Sequence, residues 1–134
     1  MPYLLDTNVC VDYLTGRFPS VAARLHRTLP EEIRLSSIVA AELRFGAEKS
    51  SQPERNHSLV DAFIDELRCL DFDQEDARAF GRIREDLQRR GTPIGPYDML
   101  IAAQARAREL TLVTDNEREF RRVQGLAVEN WRRP

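Results

Sequence analysis

The chain has 134 residues, with 20 basic against 22 acidic side chains and a formal net charge of −2. That length suits one domain whose core needs neither disulfide nor structural zinc, and the near-neutral balance excludes an overall basic field for nucleic acid. No apolar run approaches a membrane span, and an acid at position 6 interrupts the first apolar run, so neither a membrane segment nor a signal peptide is expected. Cys10 and Cys69 both lie in apolar contexts and read as buried thiols of a reducing compartment, which points to the cytoplasm. Lys49 is the only lysine; the remaining basic residues are all Arg, which reads as codon usage before it reads as phosphate recognition.

Short strands and helices alternate along the chain. Tyr3 to Leu5 predicts a buried strand, followed by a helix from Thr7 to Leu14 that Gly16 stops. A second helix is expected from Ser20 to Thr28 with Ser20 as its cap, then a strand at Arg34 to Ser36. Ser37 is placed to cap a helix from Ile38 to Lys49. After the break at Ser50 to Pro53, a helix is expected to about Leu67, then a strand at Cys69 to Phe72. Glu75 to Arg90 is amphipathic, with Ala79, Phe80, Ile83 and Leu87 on one face. Gly91 to Pro96 is a stiff loop, and Pro96 opens a helix to Glu109. Leu112 to Thr114 predicts a fourth strand and Ala127 to Glu129 a fifth. Apolar strands alternating with helices imply an α/β fold: one domain over residues 1–134, with a short, mainly parallel sheet of four to five strands covered on both faces.

Single carboxylates stand where this apolar pattern should have continued. Asp6 ends the first strand, Glu42 lies on the stripe Ile38-Ala41-Glu42-Phe45, Asp98 shares a face with Ile101, Ala102 and Ala105, and Asp115 follows the fourth strand. Such an acid is costly to desolvate unless it is paired, hydrogen-bonded or bound to a metal. Each has an ordinary explanation: Asp6 as a helix cap, Glu42 paired with Arg44 or Arg82, Asp98 facing a helix dipole, Asp115-Asn116 as a turn. Together they lie where ligands bind in parallel sheets, beyond the carboxyl ends of the strands. Their joint placement favours one shared site for a hard cation.

Four ordered segments carry a family resemblance: Leu5-Asp6-Thr7-Asn8, Ala41-Glu42-Leu43 with Gly46, Pro96-Tyr97-Asp98 with Ile101-Ala102, and Val113-Thr114-Asp115-Asn116 with Glu119-Phe120. They resemble the PIN domain, and more narrowly the VapC toxins of bacterial toxin–antitoxin pairs. Glu48-Lys49-Ser50, Pro53 to Asn56 and Gly91 to Asp98 are similar to the enteric VapC branch. The resemblance implies a three-layer PIN fold in which Asp6, Glu42 and Asp98 are catalytic and bind Mg²⁺ or Mn²⁺. It puts the family's fourth acid at Asn116, so an amide stands there, with Asp115 and Glu119 as nearby substitutes. Thr7, Asn8 and Thr114 match positions that support the acids. It also implies an endoribonuclease acting on RNA, with initiator tRNA the expected target in the enteric branch, and a homodimer neutralised by a VapB antitoxin within a larger complex.

Three acids suit Mg²⁺, which prefers a few carboxylates plus water and activates water against a phosphodiester. His26 and His57 are distant in sequence from the acids and offer no zinc signature. Arginines at the rim would hold phosphates; the candidates are Arg17, Arg89, Arg90, Arg121 and Arg122. Two other readings remain: a haloacid-dehalogenase-type phosphatase, which needs an acid where Asn8 stands, and a catalytically inactive PIN-fold regulator that only binds its partner.

Overall fold

The structure is a computed structural model and describes residues 2–133. Leu4 and Leu5 point to opposite faces of the first strand, β1 (Tyr3–Leu5), and both are fully buried. A strand buried on both faces belongs inside a parallel sheet covered by helices. In chain order the elements are β1, α1 (Thr7–Thr15), α2 (Pro19–Arg27), a 3-10 turn (Pro30–Glu32), β2 (Ile33–Ser36), α3 (Ser37–Glu48), α4 (Pro53–Asp65), β3 (Arg68–Leu70), α5 (Gln74–Arg89), α6 (Pro96–Ala107), β4 (Thr111–Val113), α7 (Glu117–Phe120) and β5 (Val128–Glu129). The sheet order is β3-β2-β1-β4-β5 and every pairing is parallel. The expected α/β fold forms, and its sheet, expected to be mainly parallel with four to five strands, has five strands, all parallel.

The strand order reverses at β1, which pairs with β2 on one side and β4 on the other. Crossovers that leave a strand in opposite directions open a crevice at its carboxyl end. Here that crevice lies beyond Leu5 and Val113, which are paired in register. The ladder runs on into the residues that follow: Asp6 donates its amide to Val113 O at 2.9 Å and Thr114 donates to Glu129 O at 2.9 Å. The sheet therefore fixes the backbone of both.

Several local expectations need correction. Ser36, not Ser37, caps α3: its Oγ accepts the Ile38 amide at 3.0 Å, and Ser37 is already helical. Helix α2 begins at Pro19 behind Phe18 without a side-chain cap, and Ser20 donates its hydroxyl to Arg132 O instead. Pro19 supplies the fixed φ that starts a helix, so no capping oxygen is needed. Cys10 is buried as expected, but Cys69 is exposed because β3 is the sheet edge. Helix α4 ends two residues before Leu67, and α6 stops at Ala107, with Glu109 in the left-handed region at φ 55° turning the chain into β4. Helix α7 and the 3-10 turn were not anticipated, since neither is long enough to show a period.

Beneath α5 and α6 lies a polar knot. Asp73 and Asp76 cap α5 reciprocally. Asp76 is fully buried and takes Arg108 at 3.0 Å, while fully buried Gln104 donates to the carbonyl oxygens of Leu70 and Asp71. This ties the two helices to the end of β3. Removing one partner of a buried ion pair strands the other charge, at a cost of about 3–5 kcal/mol. Arg108→Leu should lower the unfolding free energy measured by urea denaturation by that order, and adding Asp76→Asn should restore a substantial part. Equal midpoints for the single and double variants would show that Asp76 is not the stranded charge.

Candidate active site

Asp6 leaves β1 with extended backbone (φ −72°, ψ 162°) and caps α1, its Oδ1 accepting the Thr7 amide at 2.7 Å. Its Oδ2 accepts the hydroxyl of buried Thr114, at the end of β4, at 2.7 Å. The capping role is thus real, but it uses only one oxygen. Thr7, the first residue of α1, donates its hydroxyl to Glu42 Oε1 of α3 at 2.9 Å. Neither Arg44 nor Arg82 pairs with Glu42; Arg44 pairs with Asp61 of α4 and bonds His57. Two threonine hydroxyls therefore join three elements around two carboxylates.

Asp98 enters from the first turn of α6. Gly95 immediately precedes that helix, and a methyl group there would stand 3.5 Å from Asp98 Oδ2, so the approach to this carboxylate is close but open. Burial raises the Asp98 pKa to about 6, and the charges of Asp6, Glu119, Glu42 and Asp115 add to the rise. Asp6 is also shifted upward, mainly by burial, against the lowering effect of its two hydrogen bonds. Five carboxylates consequently share one field. Among the described residues, Asp6, Glu42, Asp98 and Glu119 form no ion pair with Lys, Arg or His.

The fourth position resolves into two different environments. Asn116 donates its backbone amide to Thr114 Oγ1 at 3.0 Å and its side-chain amide to Glu119 Oε2 at 3.1 Å. Glu119 is therefore held by an amide and, among the described residues, paired with no cation. Asp115 has both oxygens engaged, by Asn8 Nδ2 at 3.2 Å and Arg132 Nη1 at 3.1 Å.

An oxygen-only donor set with no internal cation matches a hard divalent ion. Among the described residues no group of three or more His, Cys, Asp or Glu is arranged to hold a metal by itself. That is compatible with an ion bound through one or two carboxylates and retaining several waters, the habit of Mg²⁺. From Thr7 and Glu42 a groove of about 800 Å³ opens across an apolar surface that includes Val11, exposed Phe45 and exposed Tyr97.

The arginines are less free than their sequence positions imply. Arg89 is engaged by Glu85 and Asp86, Arg90 by Asp86 and Arg122 O, Arg121 by Glu117, and Arg122 by Pro93 O. Arg17 is exposed, with its guanidinium 5.7 Å from the Phe18 ring centre. Sequence reasoning passed over Asp12 and Arg132. Asp12 interrupts Val9-Cys10-Val11 as Glu42 interrupts its own helix, so the same criterion marks it; it is buried and paired bidentately with Arg132.

Residues 3–126 match the PIN domain family. The chain belongs to that family, in its VapC branch. It is 42% identical over 131 residues to the tRNA(fMet)-specific endonuclease VapC of Salmonella typhimurium and 41% identical to the protein of that name in Shigella flexneri, in each case across 98% of both chains. The toxin chain in the crystal structure of DNA-bound VapBC from Salmonella typhimurium superposes with a TM-score of 0.92 at 42% identity, again over 98% of both chains. PIN-family membership sets aside the phosphatase reading. PIN-domain nucleases as a family need divalent metal ions.

The raised Asp98 pKa has a definite sign. The folded state holds this proton more tightly than the unfolded chain, so the resulting stability is fully present below about pH 4. It is lost as pH rises through about 6. Without metal, Asp98→Asn should therefore unfold at higher temperature than the parent at pH 8, with the gap closing towards pH 4. A constant gap across thermal melts in EDTA would remove the electrostatic explanation. Metal affinity should fall on acidification through the same range, because the ligand must be deprotonated.

Proposed function

We propose that the chain, as a single PIN domain over residues 1–134, is a Mg²⁺-dependent endoribonuclease toxin of a VapBC toxin–antitoxin module. The observation that carries this is the set of acids Asp6, Glu42, Asp98 and Glu119, three of them held by hydroxyl or amide donors and, among the described residues, none paired with a cation. Four such charges repel one another, and a divalent ion offsets that repulsion.

A bound Mg²⁺ would supply an activated water and offset charge on the phosphoryl oxygens. Asp6 and Asp98 are its proposed principal ligands. Thr114 fixes the Asp6 carboxylate by occupying one oxygen. Thr7 does the same for Glu42, whose other oxygen accepts no hydrogen bond among the described residues and remains available to a metal or to orient water. Glu119, steadied by Asn116, supplies the charge missing at the fourth position. Hydroxyl and amide donors restrict rotation while leaving the carboxylates negative, whereas an arginine would neutralise them.

The substrate is RNA, and the tRNA(fMet) specificity in the names of the Salmonella and Shigella relatives supports initiator tRNA. Cleavage in the anticodon loop accords with the enteric resemblance of Gly91 to Asp98. In the cytoplasm the chain would form a homodimer and be neutralised by a VapB antitoxin, as the VapBC assemblies of its structural neighbours support. The groove past Phe45 and Tyr97 offers an antitoxin segment an apolar bed ending at Glu42. An arginine from that segment at Asp6 or Asp98 would compete with the metal.

Incubation of total tRNA with Mg²⁺ should give one dominant cut, absent with EDTA and absent in Asp98→Asn. Full cleavage by Asp98→Asn would overturn the site. Glu119→Gln should lower activity by about tenfold or more, the scale of losing a supporting group at a metal site, whereas Asp115→Asn should have a much smaller effect. The reverse ranking would assign the fourth position to Asp115.

A further inference from the structure

Arg132, just beyond β5, joins parts of the chain that are far apart in sequence. Its Nε and Nη2 grip both oxygens of Asp12 in α1 at 2.7 and 3.0 Å, while Nη1 reaches Asp115 Oδ2 at 3.1 Å. The guanidinium lies 4.1 Å from the Phe18 ring centre. Its backbone is held too: the amide donates to Asn130 Oδ1 and the carbonyl accepts from Ser20. The planar fork is thus fixed before it meets either carboxylate, and a fixed fork satisfies two acids where a flexible ammonium would not. Asp115 is then closed from the other side, since its remaining oxygen accepts from Asn8.

We propose that Arg132 is a positioning residue for the metal site, holding Asp115 away from the acids that would bind the ion. This rests on the metal-site reading above and extends it. Asp115 directly follows Thr114, the residue that orients Asp6, and its other oxygen is held by Asn8, two positions after Asp6. Released from Arg132, it would offer a further carboxylate to a bound ion, whose chemistry needs positions open to water. The extra ligand would tighten metal binding and remove coordination sites from water. Arg132 therefore sets the metal's ligand number, although it touches neither metal nor substrate.

Calorimetric titration of the full chain with Mn²⁺ alone tests this without reference to turnover. Arg132→Gln should bind Mn²⁺ several-fold more tightly than the parent. Asp115→Asn alone should leave the affinity unchanged, and the gain should vanish when the two are combined. A purely structural Arg132 would lower the melting temperature without moving the Mn²⁺ affinity. Because Arg132→Gln leaves buried Asp12 unpaired, the same comparison is made on an Asp12→Asn background, where no buried charge is stranded. Unchanged or weaker Mn²⁺ binding in the Arg132→Gln variants overturns the proposal, as does weaker binding in Asp115→Asn, which folds independently of this concern. Asp98→Asn in the same series separates the two layers. If it binds like the parent, the metal site itself is misplaced; if it loses binding while the Arg132 variants match the parent, only the role of Arg132 fails.

Discussion

Like charges held close together at the end of a sheet are the constraint around which the rest of this molecule is arranged. Carboxylates that repel one another separate unless the backbone holds them. Here the backbone of Asp6 and Thr114 is part of the sheet ladder, through bonds to Val113 and Glu129. Asp98 is carried by a helix whose entry is defined by Pro96 at its first position. Core packing of Leu4, Leu5, Leu112 and Val113 thus stabilises a concentration of negative charge that no local interaction would sustain.

What surrounds the acids divides into two chemistries. Asp6, Glu42 and Glu119 are held by hydroxyl and amide donors from Thr114, Thr7 and Asn116. Asp12 and Asp76 are held by arginines, Arg132 and Arg108, in buried ion pairs. A neutral donor restrains geometry and leaves the charge for another cation, while an arginine consumes it. The partner of each carboxylate therefore distinguishes architecture from site more sharply than its burial does. Asp115 lies on the boundary, beside the acid cluster yet bound to an arginine.

Partners within the fold also engage Arg89, Arg90, Arg121 and Arg122, four of the candidates for holding phosphates. They tie α5, the Gly91–Pro96 loop and α7 together through Asp86, Glu117 and the carbonyls of Pro93 and Arg122. Among the described residues, eight of the 20 basic side chains pair with an acid within the fold. Phosphate contacts made by such arginines require exchange of an existing partner. The apolar groove beside Glu42, with Phe45 and Tyr97 exposed, serves a different kind of contact.

The sequence by itself determined the α/β alternation and a short sheet of four to five strands, and it singled out Asp6, Glu42 and Asp98 as candidates. Hydrophobic period and the interruption of that period are local properties, and Asp6, Glu42 and Asp98 each break an apolar pattern at their own position. It also carried Thr7, Asn8 and Thr114 through the family resemblance. Cap identities slipped by one residue at Ser36, and at Pro19 a ring replaced a capping side chain, because neighbouring residues with similar propensity are separated only by backbone geometry. Asp12 met the same criterion as Glu42 but read as one more helix residue, since its partner lies 120 positions away. Only the tertiary structure decided that Asp115 is bound by Arg132 while Glu119 is not. Both are acids near Asn116, and what separates them is which side chains long-range folding brings to their oxygens.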